Sequence, residues 1–166
     1  MEQDATHLRV GGASRAELRA ALHSRGVALN AHAETLLEHP VFDLREGEDV
    51  GIVVRTVGEL GLTAGGVLPE VYEAAVEQGF ALCPADTGPY LRLVVKSQRN
   101  APDSELSAGR PPAGAINVAA SRLCEDPSFP AGFYLRVVDD RTWLRGFRCD
   151  DEYVLSPEVS FFFRVP

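Results

Sequence analysis

Two stretches that alternate in the manner of β-strands, residues 132–138 and 141–148, meet at Asp139-Asp140 with almost no chain between them. A connection that short joins antiparallel neighbours, because a parallel return needs a crossover of a dozen residues or more. This half of the chain must therefore contain a β-hairpin. Residues 115–121 and 159–165 have the same strand-like pattern, with polar turns between them, so the second half reads as an antiparallel meander.

The hairpin carries two of three similar triplets: Tyr90-Leu91-Arg92, Tyr134-Leu135-Arg136 and Trp143-Leu144-Arg145. Side chains alternate faces along a strand, so the aromatic and the arginine of each triplet share one face and the leucine takes the other. Residues 90–96 also read as a strand, with Leu91, Leu93 and Val95 as its apolar side. One sheet could then display Tyr90, Arg92, Tyr134, Arg136, Trp143 and Arg145 together.

What that face does depends on register. With Asp139-Asp140 as the loop, Arg136 lies opposite Trp143 and Tyr134 opposite Arg145, giving cross-strand cation–π pairs. With Asp140-Arg141 as the loop, Arg136 meets Arg145 and Tyr134 meets Phe147, leaving two guanidiniums side by side. The first arrangement satisfies itself and the second wants an anion. Phe133, Leu135, Val137 and Leu144 form the apolar face in both.

The first half is helical. Ser14 and Glu17 spell a capping box before Leu18 and Leu22, and Gly26 ends that segment. Asn30 can cap a second helix through Ala33, Leu36 and Leu37, stopped by Pro40, so the two make a helical hairpin. Residues 50–57 are rich in β-branched side chains and read as a strand. Pro69 and Gly79 bracket a third helix through Val71, Tyr72, Ala75 and Val76. Helices gathered ahead of strands predict an α+β fold: a helical hairpin and a further helix packed on a mostly antiparallel sheet. At 166 residues the chain suits one domain,. Its expected extent is 13–166, with residues 1–12 a flexible tail and the Pro- and Gly-rich residues 97–114 a flexible loop.

Composition excludes more than it selects. A hydrophobic content of 45% with 24% charged residues is that of a folded globular chain,. Apolar runs such as Ile52-Val53-Val54 are too short to span a bilayer, and the N-terminus lacks a secretory pattern, so a cytosolic location is the default. The formal net charge of −8 opposes generic nucleic-acid binding,. Arg15, Arg19 and Arg25 on the helical hairpin are offset by Glu17, Glu34 and Glu38, which leaves no basic recognition face. Cys83, Cys124 and Cys149 are an odd set without zinc-ribbon spacing and read as reduced thiols.

Motifs for chemistry are sparse. Cys83-Pro84-Ala85-Asp86 could bring a thiol and a carboxylate together, although a buried structural cysteine and a turn-capping Asp86 are the plainer reading. His32 and His39 lie about two helical turns apart near Glu38 but assemble no metal set. Gly11-Gly12 and Gly65-Gly66 lack the Lys and Ser/Thr of a phosphate loop, and no Gly-x-Ser-x-Gly elbow appears. No metal or cofactor is expected.

The passages Leu82-Cys83-Pro84 with Gly88-Pro89-Tyr90-Leu91-Arg92-Leu93, and Gly132-Phe133-Tyr134-Leu135-Arg136 with Trp143-Leu144-Arg145-Gly146-Phe147-Arg148, resemble a group of small bacterial proteins without assigned function. The resemblance runs from Ser14 to Arg164 and skips residues 97–114. Some of that group carry a helicase label, but this chain has no phosphate loop and no room for paired motor domains. The resemblance implies no catalytic residues.

Two functional classes remain. One is a non-catalytic binding protein that uses the six arginine and aromatic residues for an acidic protein partner or a small anionic ligand. In that case Arg136→Ala and Arg145→Ala abolish binding and leave folding intact. The other is a cofactor-independent enzyme on a small molecule, which needs Cys83, Asp86 or Tyr134 to converge on a polar partner in a concave pocket. A solvent face whose rings and guanidiniums merely stabilise each other is the plain alternative to both.

Overall fold

A computed structural model describes residues 5–44, 46–95, 100–101, 115–126, 128–149 and 151–166. The order is β1 (Thr6–Val10), α1 (Arg15–Ser24), β2 (Ala28–Leu29), α2 (Ala31–Leu37), α3 (Val41–Leu44) and β3 (Glu48–Thr56). After a short 3-10 turn come β4 (Gly66–Val67), α4 (Leu68–Glu77), α5 (Thr87–Val94), β5 (Asn100–Ala101) and β6 (Ile116–Val118). The chain finishes with β7 (Gly132–Val138), β8 (Arg141–Phe147), β9 (Val154–Leu155) and β10 (Ser160–Val165). The fold is α+β, as the sequence predicts. The main sheet runs β1-β3-β10-β6-β7-β8-β2 with β5 beside β7, and β4 pairs β9 in a small second sheet.

Strands β6, β7 and β8 are consecutive antiparallel neighbours, which is the predicted meander. Strand β10 leaves it. Instead of joining β8 it returns beyond β6, pairing β6 in parallel and β3 in antiparallel register. Its three phenylalanines explain the central position. Phe162 enters the core on one face of the sheet, while Phe161 and Phe163 enter the core on the other. A strand apolar on both faces belongs in the middle of a sheet.

The helix starts follow their caps. The Ser14 hydroxyl accepts the Glu17 N–H at 3.1 Å, and the Glu17 carboxylate accepts the Ser14 N–H at 2.9 Å. The Asn30 Oδ1 accepts the Ala33 N–H at 2.8 Å. Between these helices, however, Ala28–Leu29 forms β2 and pairs with Trp143 and Leu144 of β8. The expected helical hairpin is thus divided by a sheet edge, with α1 packed on α5 and α2 on β8. Asn30 continues that edge with its side chain: its Oδ1 accepts the Gly146 N–H at 2.9 Å and its Nδ2 donates to the Gly146 carbonyl at 3.1 Å.

Residues 6–10 are not a tail. They form β1, in register with β3 from Thr6 opposite Ile52 to Val10 opposite Glu48. The cause is a period of two: Leu8 and Val10 are buried while His7 and Arg9 are exposed,. The expected loop at 97–114 lies outside the described residues except for Asn100–Ala101, which pairs with Val137 and Val138.

Residues 90–96 depart furthest from the sequence reading. Residues 90–94 belong to helix α5, whose buried residues are Thr87, Gly88, Pro89, Leu91 and Arg92. This set follows a helical stripe, and Pro89 occupies the first turn, where its missing N–H costs nothing.

At the start of α1, Asp43 takes the Arg15 N–H at 2.8 Å and the Arg15 Nε at 2.6 Å. The backbone hydrogen bond from Arg15 and then its guanidinium hold the Asp43 carboxyl below its ordinary 3.8. A depressed folded-state pKa stabilises the fold above the unfolded value and loses that contribution as pH falls through the lower one. Asp43→Ala should therefore be less stable than the parent at neutral pH. The gap between their urea midpoints should close as pH drops below about 3.8.

Candidate functional site

The tip of the β7–β8 hairpin fixes the geometry of the arginine and aromatic residues. Asp139 and Asp140 have φ of 50° and 66°, so both sit in the left-handed region required by a two-residue turn of this twist,. Asp tolerates that conformation better than most residues. The register places Arg136 opposite Trp143 and Tyr134 opposite Arg145. Of the two registers the sequence allows, this is the one with the Asp139-Asp140 loop.

Tyr134, Arg136, Trp143 and Arg145 consequently share one face of the hairpin, together with Arg141 and Phe147. The stacking runs along β8. The Arg145 guanidinium carbon is 4.2 Å from the centre of the Trp143 ring, and that of Arg141 is 5.5 Å from it. These three residues occupy alternate positions of one strand, where long side chains can lean along the strand axis onto the indole. Tyr134 meets Phe147 with ring centres 6.3 Å apart. Trp143, Arg145 and Tyr134 are half-buried and Arg141 is exposed.

Arg136 is different. It is wholly buried, at 0% exposure, although it shares a face with Trp143 and Arg145. A guanidinium in that position belongs to the interior, so Arg136→Ala cannot serve as a substitution that spares folding.

Tyr90 and Arg92 do not join the other four, because their segment is a helix. Helix α5 lies on the opposite face of the hairpin, where Gly88 presses on the Phe133 ring and Leu91 shares a core with Leu135 and Leu144. The Tyr90 hydroxyl accepts the Ala13 N–H at 3.1 Å and so ties α5 to the loop ahead of α1. Arg92 is 3% exposed. Its Nη1 donates to the carbonyls of Arg136 at 3.3 Å and Trp143 at 3.2 Å, and its Nη2 to Val95 at 2.8 Å. Burial pulls its pKa down to about 10. Arg92 thus clamps the back of the same strand pair whose front carries the stack.

The residues considered for catalysis are separated. Cys83 packs with Phe133 and Leu135, whereas Tyr134 projects from the other face of the sheet. Burial pushes the Cys83 thiol up to about 12, far from a nucleophile's range,. Its N–H donates to the Ala119 carbonyl at 2.7 Å, as a strand-like bridge would. Asp86 is 1% exposed at the entrance to α5. The His39 Nδ1 accepts the Val41 N–H at 3.1 Å, a turn contact. Among the described residues no group of three or more His, Cys, Asp or Glu could hold a metal ion, and no helix is long and apolar enough to cross a membrane.

Cys83 and Cys149 are buried and Cys124 is partly exposed. An alkylating reagent should label Cys124 in the native protein and reach the other two only in denaturant. Rapid native labelling of Cys83, read by peptide mass mapping, would contradict this packing.

Arg141 was not singled out in the sequence. The signal was present: it stands two residues before Trp143, the same spacing that places Arg145 on the shared face. A separate open depression of about 310 Å³ lies between β1, β3 and β10, lined by His7, Asp49 and Arg164 among others. It is far in the sheet order from the hairpin. No family model matches this chain, and neither a curated protein nor a solved structure matches it.

Proposed function

We propose that this chain is a non-catalytic binding protein whose β7–β8 face takes the anionic groups of an acidic protein partner or a small anionic ligand. The observation that carries this reading is Arg141, which lies outside the two cross-strand pairs that this register satisfies and stacks with Arg145 on Trp143. Of the two, Arg141 is exposed beside the turn, and a guanidinium can fork onto a carboxylate or phosphate through two of its N–H groups,. Arg141, Trp143 and Arg145 are the anchoring residues, with Tyr134 beside them. Arg92 and Arg136 act from within the fold and support the strand pair. The separation of Cys83 from Tyr134, and the high thiol pKa, favour binding over the enzyme reading.

The net charge of −8 means that attraction is local to this patch, so affinity should fall as salt rises,. Thermal unfolding with inorganic phosphate and citrate tests the reading. An anion that binds only the folded state adds about 2.7 kcal/mol at about 100 times its Kd. The rise in midpoint should vanish in Arg141→Ala, whose unliganded midpoint stays near the parent's because the side chain is exposed. An undiminished rise in that variant would count against this face.

A further inference from the structure

We infer that the outer edge of β1 takes an extended segment of a partner protein, with acidic residues at two alternate positions. This surface is separate from the β7–β8 face. β1 ends the main sheet, and among the described residues it pairs with β3 alone. No other backbone hydrogen bond reaches it. Its five residues pair with β3 one to one, without a bulge, and include neither lysine nor proline, so common devices that blunt a sheet edge are missing,. The exposed side chains leave the edge open as well. His7 and Arg9 lean inward over glycines of β3: a Cβ at Gly51 would lie 3.1 Å from His7 Cε1, and one at Gly47 would lie 2.7 Å from Arg9 Nε. On that face the depression of about 310 Å³ opens beside His7.

The side chains of β1 select the occupant. A second copy added about a two-fold axis would pair β1 with itself in antiparallel register. Centred on His7, that pairing sets His7 against His7; centred on Leu8, it sets His7 against Arg9; centred on Arg9, it sets Arg9 against Arg9. Every symmetric register that overlaps three or more residues of β1 thus opposes basic side chains, which disfavours it. An acidic strand carries the opposite sign at both positions. It would lie about 4.7–4.9 Å outside β1, with Asp49 a further strand away, so the nearest charges are those of β1. The Arg9–Asp49 contact, at 3.5 Å between exposed side chains, is weak and stays in place,. Main-chain bonds along the edge supply the affinity, and the side chains supply the choice. Leu8 lies on the core side between the two basic residues, so the partner residue between the two acids is apolar,.

Three blocked pentapeptides are titrated into the isotope-labelled full chain, with the amide signals of Thr6–Val10 as the readout. They are Thr-Glu-Val-Glu-Val, the same peptide N-methylated at its third and fourth residues, and Thr-Lys-Val-Lys-Val. N–H groups alternate sides along a strand, so one of the two methylated residues must face β1. The acidic peptide should shift the β1 amides and saturate at least fivefold more tightly than the lysine peptide, and methylation should weaken it at least tenfold. In Arg9→Glu, whose side chain is exposed, the order of the acidic and lysine peptides should reverse. Equal binding of the methylated peptide overturns edge pairing, and an unreversed order in Arg9→Glu overturns the acidic occupant. Shifts of the β1 amides with protein concentration alone would assign the edge to a second copy and overturn the inference. A response at the Trp143 indole with β1 silent overturns it too, and leaves the reading of the β7–β8 face standing.

Discussion

Asn30→Ala is expected to lower the stability of the fold by about 3 kcal/mol, because one side chain serves two elements. The Asn30 Oδ1 accepts the N–H groups of both Ala33 and Gly146, and its Nδ2 donates to the Gly146 carbonyl. Removing it uncaps α2, which typically costs about 1 kcal/mol. It also strips the partner from both backbone groups of Gly146, a buried residue, at about 1–3 kcal/mol for each group left unsatisfied. Asn30→Asp separates the two contributions. The carboxylate still accepts both N–H groups but faces the Gly146 carbonyl with an acceptor, so the cap survives and the sheet edge does not. Chemical denaturation should rank the parent above Asn30→Asp and Asn30→Ala. A loss no larger than that of an ordinary cap in Asn30→Ala would show that the Gly146 contacts contribute nothing.

Gly88→Val is expected to cost about 3 kcal/mol or more through overpacking. A Cβ at position 88 would lie 2.5 Å from Cδ2 and 2.6 Å from Cγ of Phe133. Phe133 cannot withdraw easily, because it is 3% exposed and its ring meets Phe42 edge to face with centres 6.0 Å apart. Alanine supplies the same Cβ and should also destabilise, by about 2 kcal/mol, despite its better helix propensity. If residues 90–96 were instead the strand that their alternation suggests, this close approach would be absent and Gly88→Ala would be neutral. Urea denaturation of the two variants decides between these descriptions of the segment.

The elements legible in the sequence are those with local chemical markers. Ser14 with Glu17, and Asn30 ahead of Ala33, announce their helices through caps that the structure realises. The Asp139-Asp140 turn fixes the hairpin register, and Phe133, Leu135 and Leu144 are core as their alternation requires. Residues 6–10 carried the same alternation, in Leu8 and Val10, but their short polar surroundings looked like a tail.

The segment at Leu91, Leu93 and Val95 fits a period of two as well as a helix. Burial of Gly88 and Arg92 selects the helix, and burial is a property of the whole fold,. The return of β10 to the centre of the sheet depends on pairing partners far away in the chain, which no local pattern records. For the same reason the six residues of the predicted face divided. Four remained together because a two-residue turn sets their register, and Tyr90 and Arg92 left with α5.

Arg136 and Arg145 illustrate the limit most sharply. They occupy equivalent places in two matching triplets, yet one is wholly buried and the other stacks on Trp143 at the surface. Position within a strand determines which face a side chain takes. What lies over that face is decided by the rest of the molecule.

The most direct test of the binding face is a two-dimensional nitrogen–proton spectrum of labelled protein during titration with inorganic phosphate. The indole N–H of Trp143 and the Nε–H groups of Arg141 and Arg145 should shift together and saturate with one Kd, while Arg92 stays fixed. Shifts confined to the depression around His7, Asp49 and Arg164, with the Trp143 indole unmoved, would contradict the account.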